Sequence, residues 1–221
     1  MKNTAFFQKL IASARKIESI MGDWCMNVKT GMPVFFSHAR GINRDAFDFE
    51  TNAHSTIIKA IRLLRLGPSD VVVVLGCGRG RAACHFARQY IRKVIGIELE
   101  PQLCDVARKN GESLRGRRAE IEILNIDAAS ADISEGTVFF MFNPFGERTL
   151  RMVLKNIEAT RDITSEPITI IYARPLYDYV FNEFPWLHII HDYKSITGFH
   201  TMIYRNLVKR NQEPRLGRID G

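Results

Sequence analysis

Residues 71–81 read VVVVLGCGRGR: five apolar residues pass directly into a loop with glycine at 76, 78 and 80 and arginine at 79 and 81. A continuous apolar run bounded by glycine has the pattern of a strand buried on both faces. Glycines at its exit let the backbone turn tightly and approach a ligand, and a helix that follows presents unpaired N–H groups to an anion. The dinucleotide fingerprint GxGxxG requires glycine or a small substitute at position 81. Arg81 stands there, which disfavours an NAD site.

Outward from this stretch the chain alternates. Apolar runs recur as KVIGIEL (93–99), IEILNI (121–126), TVFFMFN (137–143) and ITIIYA (168–173), with helical patterns over about 80–91, from near Pro101, and over about 147–161. Strands of this kind alternating with helices predict a doubly wound, Rossmann-like α/β domain with a mostly parallel sheet. WLHIIHDYKS (186–195) and HTMIYRNLV (200–208) break the alternation, because so short a link cannot make a parallel crossover. They predict an antiparallel hairpin that completes a seven-stranded sheet.

Upstream, apolar residues at helical spacing predict one helix over 6–21 and another over 52–66, the second stopped by Gly67 and Pro68. The glycine- and aromatic-rich stretch between them has no period and reads as a cover over a site. The expected organisation is therefore an N-terminal helix and cover (1–50), one α/β domain (51–208) and a flexible basic tail (209–221).

The 221 residues are 46% hydrophobic, enough for one main domain with a core. No apolar stretch reaches the roughly 20 residues that cross a bilayer, so no membrane partner is expected. The four cysteines include no CxxC pair and are not set at metal-ligand spacing with histidine, which predicts free thiols, a cytoplasmic protein and no metal site. A formal charge of +7 favours anionic partners, although RGRR (115–118) and the basic tail can equally be solvated surface.

In open parallel sheets the ligand crevice lies beyond the carboxyl ends of the strands, so each strand end is a candidate wall of one site. Glu98 ends the second run, 22 positions after Gly76, where a carboxylate can accept hydrogen bonds from ribose hydroxyls. Glu100, before Pro101, suits a helix N-terminus better. Asp127 follows the third run and can take an exocyclic amine or simply cap a turn. Asn143, Pro144 and Phe145 follow the fourth. They are either a turn or a polar amide, a stiff backbone and an aromatic ring beside a reacting centre. Cys77, inside the glycine loop, reads as a small residue that fits beneath a tight turn.

Taken with LGCGRGR (75–81), VIGIELE (94–100), NIDA (125–128), FNPFG (142–146) and the closing hairpin, the chain resembles the class I S-adenosylmethionine-dependent methyltransferases over roughly residues 50–208. The resemblance implies that Gly76, Cys77, Gly78 and Gly80 hold the methionyl part of the cofactor, Glu98 its ribose and Asp127 its adenine. FETNAHSTIIKAI is similar to the segment before the sheet in the non-SET histone lysine methyltransferases and their bacterial relatives, which places Glu50 and Thr51 along the cofactor. FNPFG resembles the [D/N]PP[Y/F] motif of amino-group methyltransferases, which implies that Asn143, Pro144 and Phe145 form the catalytic wall and that nitrogen is mildly favoured as acceptor atom. It departs from that motif at Phe145 and Gly146. A second departure is Val74, where the family often carries an acid; Glu50, Asn143 and backbone carbonyls are then the groups available to the cofactor's ammonium.

The expected activity is methyl transfer from S-adenosylmethionine to an acceptor that the sequence does not identify as nucleic acid, protein or small molecule. For an oxygen acceptor His38, Asp45 and His54 are the available bases. Two alternatives stand beside it: a regulatory protein that binds the cofactor without transfer, and an NAD-dependent oxidoreductase.

Overall fold

The computed structural model describes residues 2–31, 52–160, 162–164, 166–195 and 199–208, with the backbone alone over 2–11. The valine run forms β1 (Val71–Leu75), in which every residue is buried. Alternation along β1 explains why no polar residue is tolerated there. Val72 and Val74 enter one apolar layer with Ala83 and Phe86, whereas Val71, Val73 and Leu75 enter the opposite layer with Leu150 and Val153.

The other strands are β2 (Lys93–Glu98), β3 (Glu120–Asn125), β4 (Val138–Phe142), β5 (Thr169–Ala173), β6 (Leu187–Lys194) and β7 (His200–Asn206), joined in one seven-stranded sheet of order β3-β2-β1-β4-β5-β7-β6. β1 pairs in parallel with β2 on one side and β4 on the other, so the strand order reverses at β1. Such a switch point opens a crevice at the carboxyl ends. β7 runs antiparallel to both β5 and β6, as the sequence predicts, with a register shift between Ile189 and His191 on the outer strand.

The helices are α1 (Lys2–Met26), α2 (His54–Leu63), α3 (Arg81–Ala87), α4 (Pro101–Ser113) and α5 (Glu147–Thr160). Several elements differ from the sequence reading, among them α3, which ends at Ala87 and not near 91. α1 runs through Gly22 to Met26, because that glycine lies against the ring of His54, where any side chain would collide. α2 stops at Leu63, short of the expected Leu66: Leu64 turns to an extended conformation and buries itself, and Asp70 takes the N–H of Gly67 in the turn that follows. A 3₁₀ turn over Asp178–Glu183, unmarked in the sequence, buries Phe181, which stacks on Tyr204 with ring centroids 4.0 Å apart.

The cover expected between α1 and α2 lies mostly outside the described residues, as do Glu50, Thr51, His38, Asp45 and the basic tail. Among the described residues no helix is long and apolar enough to cross a membrane.

Candidate cofactor and acceptor site

β1 delivers the glycine loop to the crevice in a left-handed conformation. Gly76, Gly78 and Gly80 have φ of 66°, 54° and 84°, a region that other residues enter at a cost. A side chain at Gly76 would also overlap Pro144, so the loop after β1 and the loop after β4 touch directly. Cys77 donates its N–H to Ile97 at 2.9 Å, and its sulfur sits above Gly96 of β2. Burial raises the Cys77 thiol well above its usual range, which leaves it unreactive.

Glu98 closes the loop from the side. Its carboxylate accepts the N–H of Gly78 at 2.8 Å, of Leu99 at 2.9 Å and of Glu100 at 3.0 Å. Burial raises its pKa, and those three donors oppose the rise. A carboxylate offers about four lone-pair positions, so three bonds leave room for one further donor. Asn125 ties down the same corner, donating to the carbonyls of Glu98 at 3.0 Å and Leu99 at 2.8 Å. Asp127, half-buried, accepts the N–H of Ala129 at 2.9 Å, which makes it a turn cap in this structure.

On the opposite wall Asn143 is 8% exposed and has φ of 42°. Its side-chain oxygen accepts the hydroxyl of Tyr172 at 2.8 Å. Phe145 is buried in the apolar layer with Ala128, Ala131 and Leu150. The partly exposed aromatic at this edge is Phe142, which meets Phe199 edge to face at 5.3 Å; Arg15 of α1 lies 4.4 Å over Phe199.

Sequence reasoning missed the polar network beneath the glycine loop. Arg81, 5% exposed, donates to Thr30 Oγ1, the carbonyl of Asn52 and Ser19 Oγ at 2.6 Å each, and reaches Asp23 at 3.4 Å. Asp23 also accepts the N–H groups of Thr30 and Gly31 and contacts His54 Nε2 at 3.2 Å; His54 Nδ1 lies 2.7 Å from His85 Nε2. Burial alone would raise Asp23, but hydrogen bonds from His54 and Thr30 and the charge of Arg81 outweigh it and hold the carboxyl at about 2. Burial, with His54 and Arg81 nearby, pushes His85 down to about 3. His54, 3% exposed, therefore belongs to a structural chain between α1 and α3. No periodicity marks such a network, since its members are scattered over 60 positions; an arginine fixed at the first turn of a buried helix is the only local sign.

Among the described residues, both side-chain polar atoms of Asn52, 6% exposed, and Nε of Arg79 are buried without a hydrogen-bond partner. A buried amide left unpaired costs about 1–3 kcal/mol, so a native site of this kind calls for a ligand or ordered water. The glycine cradle, the remaining capacity of Glu98 and the unpaired Asn52 amide fit a polar, zwitterionic ligand with hydroxyls. Among the described residues no group of His, Cys, Asp or Glu is placed to hold a metal ion.

Comparison with known proteins bears on the fold and the domain family. Residues 72–160 match the family model of a methyltransferase domain. A histone-lysine N-methyltransferase specific for lysine 79 of H3, from Dictyostelium discoideum, is 34% identical over 95 residues, covering 38% of this chain and 5% of that protein. This chain thus spans only a small part of the curated relative's length. Among solved structures, an RNA methyltransferase from Salinibacter ruber in complex with S-adenosyl-L-homocysteine superposes with a TM-score of 0.53 at 18% identity, covering 75% of this chain and 97% of the other. Magnesium protoporphyrin IX methyltransferase from Synechocystis with bound S-adenosylmethionine gives 0.55 at 11% identity, over 70% and 79% of the two chains. At these identities the structural likeness is one of fold.

Proposed function

We propose, from the premise that this chain carries a class I S-adenosylmethionine-dependent methyltransferase domain, that the protein transfers the methyl group of S-adenosylmethionine to an acceptor bound at the loop after β4. One observation carries the reading: Gly76 packs against Pro144, so the loop assigned to the methyl donor and the loop assigned to the acceptor meet at the switch point.

The cofactor supplies an already activated methyl on a sulfonium, so alignment of the acceptor and exclusion of water are the main tasks left to the protein. Gly76, Gly78 and Gly80 give its methionyl part room against backbone. Glu98 accepts a ribose hydroxyl with its remaining lone pair while holding the loop through Gly78. Asp127, which caps its own turn through Ala129, is the group that would meet the adenine. Val74 is buried in the sheet layer and cannot be replaced there by an exposed acid. Asn52 answers that lack, its carbonyl oxygen accepting from the ammonium and its amide nitrogen donating to the carboxylate. Glu50 and Thr51 precede it in the chain.

On the acceptor side Tyr172 fixes the Asn143 side chain, leaving the second lone pair of its oxygen and the backbone carbonyl to receive the N–H of an amine. That arrangement supports nitrogen as the acceptor atom. Bound there, the cofactor would supply the methyl group and keep the electron pair of the broken S–CH₃ bond, while Asn143 would hold the acceptor nitrogen, whose proton would leave to solvent. The similar proteins act, by their names, on a histone lysine, an RNA and a porphyrin, so no one acceptor class is carried over. Free thiols on all four cysteines suit a cytoplasmic setting.

The test is titration with S-adenosylmethionine followed by transfer from methyl-labelled cofactor into fractionated cell extract. Binding with label in one fraction supports the reading, and no binding at millimolar concentration rejects it. Binding without any labelled acceptor would favour a regulatory cofactor-binding protein.

A further inference from the structure

A second polar pocket lies at the other pole of α3 from the glycine loop, beside the amino end of the parallel sheet. It has a volume of about 310 Å³ and is lined by Arg62, Arg88 and Arg118 with Ile61, His85 and Gln89. We propose that this pocket binds a phosphate group. The inference is independent of methyl transfer, because no residue in the pocket belongs to the strand ends that form the cofactor crevice.

Three exposed arginines from three segments, Arg62, Arg88 and Arg118, line this one pocket, and none of its other lining residues is a carboxylate. Among the described residues none of Arg62, Arg88 and Arg118 forms an ion pair, whereas nearby Arg92 pairs with Glu135 at 2.9 Å and Arg108 with Asp105 at 2.9 Å. Bringing like charges together is unfavourable unless an anion joins them, and guanidinium forks match phosphate oxygens. Two of the three have defined neighbours. The Arg118 guanidinium lies 4.0 Å over the Tyr90 ring, and its backbone N–H is fixed to the carbonyl of Ala87 at 2.8 Å. Arg88 lies along Gly116, where an added Cβ would come within 3.5 Å of its Nε; φ of 75° at Gly116 shapes that turn.

The end of a helix normally repels an anion through its free carbonyls. Here those carbonyls are occupied: His85 by the Gln89 side chain at 3.2 Å, Phe86 by the Gln89 N–H at 2.9 Å, and Ala87 by the N–H groups of Arg118 and Ala119. Arg115 and Arg117 continue the same loop as exposed cations. A phosphorylated small molecule would use the pocket alone, and a nucleic-acid strand would place one phosphate in the pocket and others along this loop.

The test is calorimetric titration of the full chain at low salt with pyrophosphate and with a single-stranded RNA 12-mer, repeated for Arg62→Ala/Arg88→Ala and for the ion-paired control Arg92→Ala. At least one probe is expected to bind with Kd below about 1 mM, about tenfold or more weaker in the double variant and within about twofold of wild type in the control. Pyrophosphate binding that RNA does not exceed identifies a small phosphorylated ligand. Tighter RNA binding whose salt slope falls by about two in the double variant identifies a strand. Absence of binding by both probes at about 10 mM pyrophosphate and 0.1 mM RNA overturns the proposal; so does equal loss in the control. Thermal melts confirm folding, and if the double variant melts early, Arg88→Gln replaces it under the same criteria.

Discussion

Tyr172 donates its hydroxyl hydrogen to the side-chain oxygen of Asn143 across the gap between β5 and the loop after β4, at 2.8 Å. Both residues are buried, and Asn143 holds a left-handed backbone at φ 42°. The bond fixes a strained turn at the place where an acceptor would be aligned. Tyr172→Phe removes the donor and leaves the Asn143 oxygen without this partner, so urea unfolding should show a loss of about 1–2 kcal/mol. Cofactor affinity should be unchanged, because Gly76 and Glu98 remain in place, while the transfer rate falls. Equal losses in cofactor affinity and rate would contradict the assignment.

Glu98 and Glu100 stand two residues apart and differ in what they hold. Glu98 carries three backbone N–H groups of the glycine loop and of its own strand exit, whereas Glu100 only starts α4, as its N-cap, without a side-chain cap bond. Charge-assisted hydrogen bonds contribute about 1.5–3 kcal/mol each. Glu98→Ala should therefore weaken S-adenosylmethionine binding by about tenfold or more, measured by calorimetry, and Glu100→Ala by less than about twofold. Similar effects of the two would reject Glu98 as the ribose acid.

Arg81 is the joint between α1 and the cofactor loop. Removing it leaves half-buried Asp23 without its neighbouring cation and Thr30 Oγ1, Ser19 Oγ and the Asn52 carbonyl without their donor, a loss of about 1–3 kcal/mol. Arg81→Met should reach that range in urea unfolding. Asp23→Asn in the same chain should recover part of it, since the two residues share one network and their effects do not add. Simple additivity in the double variant would show that Arg81 acts through Thr30 and Asn52 alone.

The sheet was readable from sequence because its strands are buried on both faces and so carry unbroken apolar runs. β1 begins and ends where VVVVL does, and the hairpin of β6 and β7 follows from the shortness of its link. The strand-end motifs were readable for the same reason, since strand ends locate the crevice. What pattern did not supply is contact between distant segments. Arg81 weakened an NAD reading by its identity alone, yet its side chain points away from the crevice to Ser19, Asp23 and Thr30. The burial of Phe145 among Ala128, Ala131 and Leu150 is likewise a contact between distant segments that FNPFG does not spell out.

The chain from Asp23 through His54 to His85 makes stability depend on pH over two windows of opposite origin but the same sign. His85 has its folded pKa lowered from the usual 6.5 to about 3, so below pH 6.5 the unfolded chain binds a proton that the native one refuses. Stability then falls by up to about 1.4 kcal/mol per pH unit as pH drops from 6.5 toward 3. Asp23 has its folded pKa lowered from 3.8 to about 2, so its contribution is complete above pH 3.8 and is lost as pH falls through 2. Between pH 7 and 4 only His85 contributes among these two. Urea midpoints measured over that range should decline for wild type, flatten in His85→Gln, and keep their slope in Asp23→Asn. A wild-type slope that survives His85→Gln would show that the titrating group lies elsewhere.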